Sequence, residues 1–225
     1  MRSTMPLKAV LFDLDGTLLD TGPEFHHIAS HMLEKYALAP LDYAAFRETV
    51  SDGARGMVKK AFRIEEDDAQ FETLRQEFLA LYAEQLATRT ELFAGMGDVL
   101  DFVESHGMVW GVVTNKPNAF AEPLLRALGL LERCAVLVCP DHVGERKPHP
   151  EALYLACDKI GCSIDEAIYV GDHRRDIECA RNAGMASVAC LFGYVHASDP
   201  CENWNADFIV HDAMEIIPIV QNRLD

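Results

Sequence analysis

Asp13 and Asp15 flank a single leucine in the stretch FDLDGTLLD (12–20), and Gly16 and Thr17 follow at once. Two like charges two residues apart, directly after the apolar run 9–12, are costly unless a cation or a reacting group compensates them. Three later groups carry complementary chemistry. They are Thr114-Asn115-Lys116 in VVTNK (112–116), Lys147 in RKPHPE (146–151), and Asp172 with Asp176 in GDHRRD (171–176). Brought together, the carboxylates would suit a hard divalent ion such as Mg²⁺, which takes one or two carboxylates, waters and a substrate phosphate. Lys147 and the Thr114 hydroxyl would suit phosphate oxygens, as would backbone N–H groups at a helix start. A carboxylate can attack phosphorus to give an aspartyl-phosphate, and a second can protonate the leaving alcohol and later activate water. In an extended segment, residues i and i+2 would both point into one site.

Singly, each group has a plainer reading: Asp-Gly-Thr as a turn, Thr114-Asn115 and Gly-Asp as helix starts, Lys147 as a solvated lysine. Their joint placement on the predicted elements favours the chemical reading. Short β-branched or aromatic runs, apolar on both faces, occur at 8–13, 108–115, 134–139, 167–172, 187–192 and 207–210. They read as strands of a buried parallel sheet. Helical segments at 96–106, 118–129, 150–160, 174–183 and 212–222 separate most of them. This alternation predicts an α/β fold with a doubly wound parallel sheet, whose ligands bind beyond the C-terminal strand ends. The four chemical groups all fall there.

One insertion breaks the alternation. Phe25, Ile28, Ala29, Met32, Leu33 and Tyr36 recur at helical spacing, as do Phe71, Leu74, Phe78, Leu81 and Tyr82. A further helix or pair spans Phe46 to Phe62, interrupted at Asp52-Gly53. The expected division is a catalytic core of residues 1–20 and 93–225 and an inserted helical bundle at 21–92. The acidic run 65–68 reads as a solvated turn.

The formal charge of −16 disfavours nucleic acid and anionic membrane as partners, and requires any anion site to be locally basic or to hold a metal. The seven scattered cysteines read as reduced thiols, and no long apolar segment suggests secretion or a membrane span. A cytoplasmic protein is expected, with monomer and homodimer both open. Met5 is an alternative start that would leave residues 1–4 as a tail. No histidine pair has zinc spacing.

The motifs DLDGT (13–17), VVTNK (112–116), Lys147 within KPHPE, and GDHRRD (171–176) come in the order found in the haloacid dehalogenase (HAD) superfamily, which this chain resembles. The resemblance implies a HAD-like, Rossmannoid core with an inserted helical-bundle cap of C1 type. It implies Asp13 as nucleophile and Asp15 as general acid/base, with Mg²⁺ held by Asp13, the main-chain carbonyl of Asp15, and Asp172. Asp176 would support the metal site and Thr17 the turn behind the aspartates. Thr114, Asn115 and Lys147 would bind the phosphoryl group. His173 departs mildly from the small or acidic residue usual after this Gly-Asp.

Within the superfamily the likeness is to the phosphoglycolate-phosphatase-like group. The stretches SDGARGMV (51–58), WGVVTNKP (110–117), CPDHV (139–143), GYVH (193–196) and NWNAD (203–207) rank muramic acid 6-phosphate ahead of 2-phosphoglycolate as the phosphorylated small-molecule substrate. A sugar phosphomutase and a non-catalytic phosphate sensor are the alternatives. Arg55 is a candidate contact for a substrate carboxylate or a solvated arginine in a helix–helix turn. Lys116 is a candidate phosphate or sugar contact or a surface lysine. His142, Tyr194, His196 and Trp204 are candidate rim residues, with packing or surface as the default.

Overall fold

The computed structural model describes residues 5–224, so the expected tail at 1–4 lies outside the described residues. Among the described residues eight strands occur: β1 (Ala9–Phe12), β2 (Leu19–Asp20), β3 (Glu91–Leu92), β4 (Val109–Val113), β5 (Val136–Val138), β6 (Ala167–Gly171), β7 (Ala186–Cys190) and β8 (Phe208–Val210). Six of them form one sheet in the order β5-β4-β1-β6-β7-β8. Every pairing in it is parallel. The expected doubly wound α/β core is therefore present, with each of its six predicted strands in place.

The strands are apolar on both faces because both are covered. Val10, Phe12, Val112, Ile168 and Val170 face one layer, packed with α5 (Met96–Ser105), α6 (Asn118–Ala127) and α9 (Ile216–Gln221). Ala9, Leu11, Val113, Ala167 and Tyr169 face the other, packed with α7 (Glu151–Ile160) and α8 (Arg174–Ala183). Chain order reverses at β1: β4 and β5 lie to one side, and β6, β7 and β8 to the other. That reversal opens a crevice at the C-terminal end of β1, where open α/β sheets bind ligands.

Between β2 and β3 lie α1 (Gly22–Lys35), α2 (Tyr43–Arg47), α3 (Gly53–Phe62) and α4 (Phe71–Gln85), with a 3₁₀ turn at Val50–Asp52. Their apolar stripes meet in a core of their own, built on Phe25, Ile28, Met32, Phe46, Val58 and Phe78. The interruption expected at Asp52-Gly53 is the junction of that turn with α3, and Gly53 takes a left-handed φ of 70° there. Glu65 and Glu66, in the acidic run, pair with Lys59 and Arg55.

The two chain crossings into and out of this module are tied together. β2 and β3 pair antiparallel, Leu19 with Leu92 and Asp20 with Glu91. Glu24 is fully buried and accepts hydrogen bonds from Ala87 N, Arg89 N and the Thr90 hydroxyl. A buried carboxylate is tolerated only when satisfied in this way. No helix among the described residues is long and apolar enough to cross a membrane.

Candidate active site

β1 ends at Phe12, so Asp13 to Thr17 is a turn rather than more strand. The extended backbone expected there is replaced by a turn, and the two aspartates take different partners, although both line the one cavity described below. Asp13 is buried, and its Oδ1 accepts from Leu14 N at 2.7 Å and from the Lys147 ammonium at 2.9 Å. Asp15 is half-buried and turns toward the helical module. Its Oδ1 accepts from the Thr21 hydroxyl at 2.8 Å and from Lys116 Nζ at 3.0 Å. Gly16 lets the turn close. Its φ is +87°, and a Cβ there would stand 2.1 Å from Asp172 Oδ2.

Lys147 follows no strand, yet it is 3% exposed. Its ammonium donates to Asp13, to Asp176 Oδ1 at 2.7 Å, to the Val113 carbonyl and to the Tyr169 hydroxyl. The solvated reading of Lys147 is thereby excluded. Asn115, a candidate phosphate contact, lines the cavity described below, and both ends of its amide also meet the Lys147 backbone, at 3.3 and 3.2 Å. It braces the segment that carries the lysine. The Thr114 Oγ1 accepts from Lys116 N, which leaves the hydroxyl proton available to a ligand.

At the end of β6, the oxygens of Asp13, Asp172 and Asp176 lie within 4.8 Å of one another, and all three residues are buried. Asp176, expected behind the metal site, contributes a carboxylate to the cluster itself. The Asp15 carboxylate is not part of it. Asp172 Oδ1 accepts from Thr17 Oγ1 at 3.1 Å, and Oδ2 accepts from Tyr194 N at 2.8 Å and Ser51 Oγ at 3.0 Å. Thr17 thus orients a carboxylate, beyond shaping the turn.

The electrostatics separate the three acids. Burial drives the Asp13 carboxyl upward, but Lys147 and Arg175 outweigh it and hold it below the usual range. Burial lifts Asp176 against the pull of Lys147. Burial, then the Asp13 and Asp176 charges, push Asp172 up to about 7. One lysine cannot neutralise three buried carboxylates, so the donor set fits a hard divalent cation: all oxygen, clustered and acidic.

A cavity of about 320 Å³ opens over Asp13 and Asp15 and is also lined by Thr114, Asn115, Lys116 and Arg55. Its other wall belongs to the helical module, including Phe25, Ser51, Met57 and Tyr82. Lys116 is buried under this wall, with its ammonium 4.9 Å from the Phe25 ring centroid and 4.6 Å from that of Tyr82. The surface reading of Lys116 is excluded. Burial is the largest single influence and lowers its pKa, but the Asp15 charge, Tyr82 and the hydrogen bonds to both together raise it more, so it stays protonated. Arg55 stands at the rim, more than half exposed and paired with Glu66.

His173 caps α8, its Nδ1 accepting from Arg175 N. Burial and the Arg175 charge push it down to about 4, so it is neutral at pH 7. His142 caps the turn at Pro140 and His196 is exposed near Ser198, both away from the cavity lining. Trp204 packs under α8. Tyr194 is buried at the module's base, where its hydroxyl donates to Asp20 Oδ1 and accepts from Gly22 N.

Arg175 and Tyr169 were not singled out by sequence reasoning, whereas Ser51 opens the SDGARGMV stretch, whose first five residues read as the loop facing the site. Arg175 donates to the Ser51 carbonyl, so one residue of the 3₁₀ turn meets the core through both its backbone and its hydroxyl. Their one legible signal was position: Arg175 lies inside GDHRRD and Tyr169 two residues before its glycine.

A parallel sheet that brings an aspartate turn, a buried lysine and an acidic cluster to one edge defines a class. The chain belongs to the haloacid dehalogenase-like hydrolases, whose family profile matches residues 10–190. It is 46% identical over 220 residues to the N-acetylmuramic acid 6-phosphate phosphatase of Pseudomonas aeruginosa, covering 98% of this chain and 97% of that protein. It is 44% identical over 209 residues to a phosphoglycolate phosphatase of Xanthomonas campestris pv. campestris, covering 93% and 94%. The crystal structure of a predicted phosphoglycolate phosphatase from Haemophilus somnus superimposes with a TM-score of 0.83 at 27% identity, covering 98% of this chain and all of that one.

Proposed function

We propose that this hydrolase is a Mg²⁺-dependent phosphatase that cleaves N-acetylmuramic acid 6-phosphate through an aspartyl-phosphate on Asp13. The carrying observation is the state of Asp13. Lys147 keeps it ionised, and both of its close contacts fall on Oδ1, so Oδ2 is available to attack phosphorus. Asp13, Asp172 and the main-chain carbonyl of Asp15 would hold the ion, with Asp176 beside them. Bound there, Mg²⁺ would neutralise phosphate charge and orient the phosphoryl group.

Oδ2 forms the bond to phosphorus as the bond to the sugar oxygen breaks. Asp15 gives that oxygen its proton. It then takes a proton from water as the water attacks the aspartyl-phosphate, releasing inorganic phosphate and restoring Asp13. Lys147, the Thr114 hydroxyl and Lys116 supply positive charge and donors that need no reorganisation during the reaction. The module of residues 21–92 acts as the cap, excluding water and selecting the leaving group.

The relatives named above support the substrate, as does the size of the cavity. At about 320 Å³ it lies at the low end of ligand sites and has room for a monosaccharide. The reading places the protein in the cytoplasm, in peptidoglycan recycling. The second reading, 2-phosphoglycolate, is supported by the 44% relative.

The test compares kcat/KM of the wild type on the two substrates, with phosphate release as the readout. N-acetylmuramic acid 6-phosphate should be turned over more efficiently, EDTA should silence the reaction, and Mg²⁺ should restore it. Preference for 2-phosphoglycolate would transfer the assignment. Transfer of the phosphoryl group to a second sugar without phosphate release would make the protein a mutase.

A further inference from the structure

We propose that Arg146 recognises the carboxylate of the leaving group. The inference rests on the substrate reading above and assigns to it a residue that neither the motifs nor the charge pattern had singled out.

Five cationic side chains line the cavity: Arg55, Arg75, Lys116, Arg146 and Arg175. Four are committed. Arg55 pairs with Glu66, and Arg75 grips both oxygens of Glu72. Lys116 pairs with Asp15, and Arg175 donates to the Ser51 carbonyl. The Arg146 guanidinium alone has no acceptor among the described residues, although its backbone carbonyl accepts from His149 N. In a chain of net charge −16, an unpaired guanidinium beside the reacting centre is an unusual concentration of positive potential.

Its position suits the role. Arg146 immediately precedes Lys147, whose ammonium is bound to Asp13, so it sits beside the phosphoryl position on the core side of the cavity. It is exposed, so a ligand can reach it without breaking a contact. A guanidinium presents a planar fork that matches a carboxylate with two parallel N–H···O bonds. Arg55, the sequence-based candidate for this contact, would first have to give up Glu66.

The experiment uses two sugar phosphates that differ by the carboxylate-bearing lactyl ether: N-acetylmuramic acid 6-phosphate and N-acetylglucosamine 6-phosphate. Arg146→Ala should lower kcat/KM on the first by roughly ten- to a hundred-fold, mostly through KM. It should lower the second several-fold less than the first, since that sugar shares the phosphoryl group but lacks the carboxylate. Arg146→Lys should recover part of the loss, because a point charge remains without the fork. A variant that loses both substrates alike, or that keeps the wild-type ratio, overturns the assignment. A wild type that treats both sugars equally defeats the substrate reading itself, and Arg146 with it, before any variant is made.

Discussion

Two lysine–aspartate pairs stand at the edge of the same sheet and are built differently. Lys147 and Asp13 have side chains 1% and 6% exposed, and the hydrogen-bond and ion-pair partners given above for both come from the α/β core. Lys116 and Asp15 have side chains 6% and 19% exposed, and the wall over them comes from the helical module, as the rings of Phe25 and Tyr82. The first pair is a fixed electrostatic unit. The second lies at a seam between two hydrophobic cores, where a movement of the module would change its surroundings. The division matches the chemistry proposed: one aspartate must stay ionised and still, and the other must exchange a proton with whatever occupies the cavity.

Activity should separate the pairs most strongly. Asp13→Asn should reduce phosphate release by at least about four orders of magnitude, as loss of a nucleophile does, with the thermal unfolding transition retained. Asp15→Asn should lower kcat by about 10²–10⁴ and change KM little, the range expected for one acid–base group. Equal losses for the two variants in steady-state phosphate release would erase the distinction.

Stability should separate the lysines next. Lys147→Met strands two buried carboxylates and should cost about 3–5 kcal/mol in denaturant unfolding with EDTA present. Lys116→Met places an apolar chain of similar length between two aromatic rings and leaves only the half-exposed Asp15 behind. It should cost less than about 2 kcal/mol. A Lys116 variant as unstable as the Lys147 variant would show the seam to be as rigid as the core.

Asp172 sharpens the comparison further through pH. Its folded carboxyl titrates at about 7, whereas an unfolded aspartate titrates near 4. Between these values the folded protein holds a proton that the unfolded chain has released. The metal-free fold therefore loses stability from this group as pH rises from about 4 to about 7, and the loss levels off above that. His173 acts in the opposite direction: its folded value of about 4 costs stability as pH falls below about 6.5. Asp172→Asn isolates the first effect. In EDTA at pH 8 it should be more stable than wild type by on the order of a few kcal/mol, a difference that closes by about pH 4. With Mg²⁺ only the wild type should gain. A variant less stable than wild type at pH 8 in EDTA would show that the Asp172 charge is already compensated.

Much of this was legible in the chain itself. Parallel strands buried on both faces must be apolar throughout, so all six core strands read directly. The candidate groups just after β1, β4 and β6 were marked by polar residues that an apolar run does not otherwise need. The two-residue strand at Leu19–Asp20 and the burial of Glu24 were not legible, because neither has a period and both exist only where the two crossings meet. Lys147 taken singly read as surface, and only its company with the other motifs pointed to the site, since Lys-Pro carries no sign of the cage that Asn115, Tyr169 and Asp176 build around it.

Sequence by itself marked the six core strands, the inserted helices and the candidate reacting groups, because hydrophobic period and residue chemistry are local properties; the order of the strands in the sheet came from the tertiary structure. The tertiary structure decided which groups are partners. Ser51 reaches Asp172 across 121 residues, and Tyr194 reaches Asp20 across 174. It also decided that Asp13 faces a lysine of the core while Asp15 faces one under the helical module, and that, among the described cations lining the cavity, the Arg146 guanidinium is left without an acceptor. Charge pairing depends on distance in space and on burial, and neither is written in the spacing of residues along the chain.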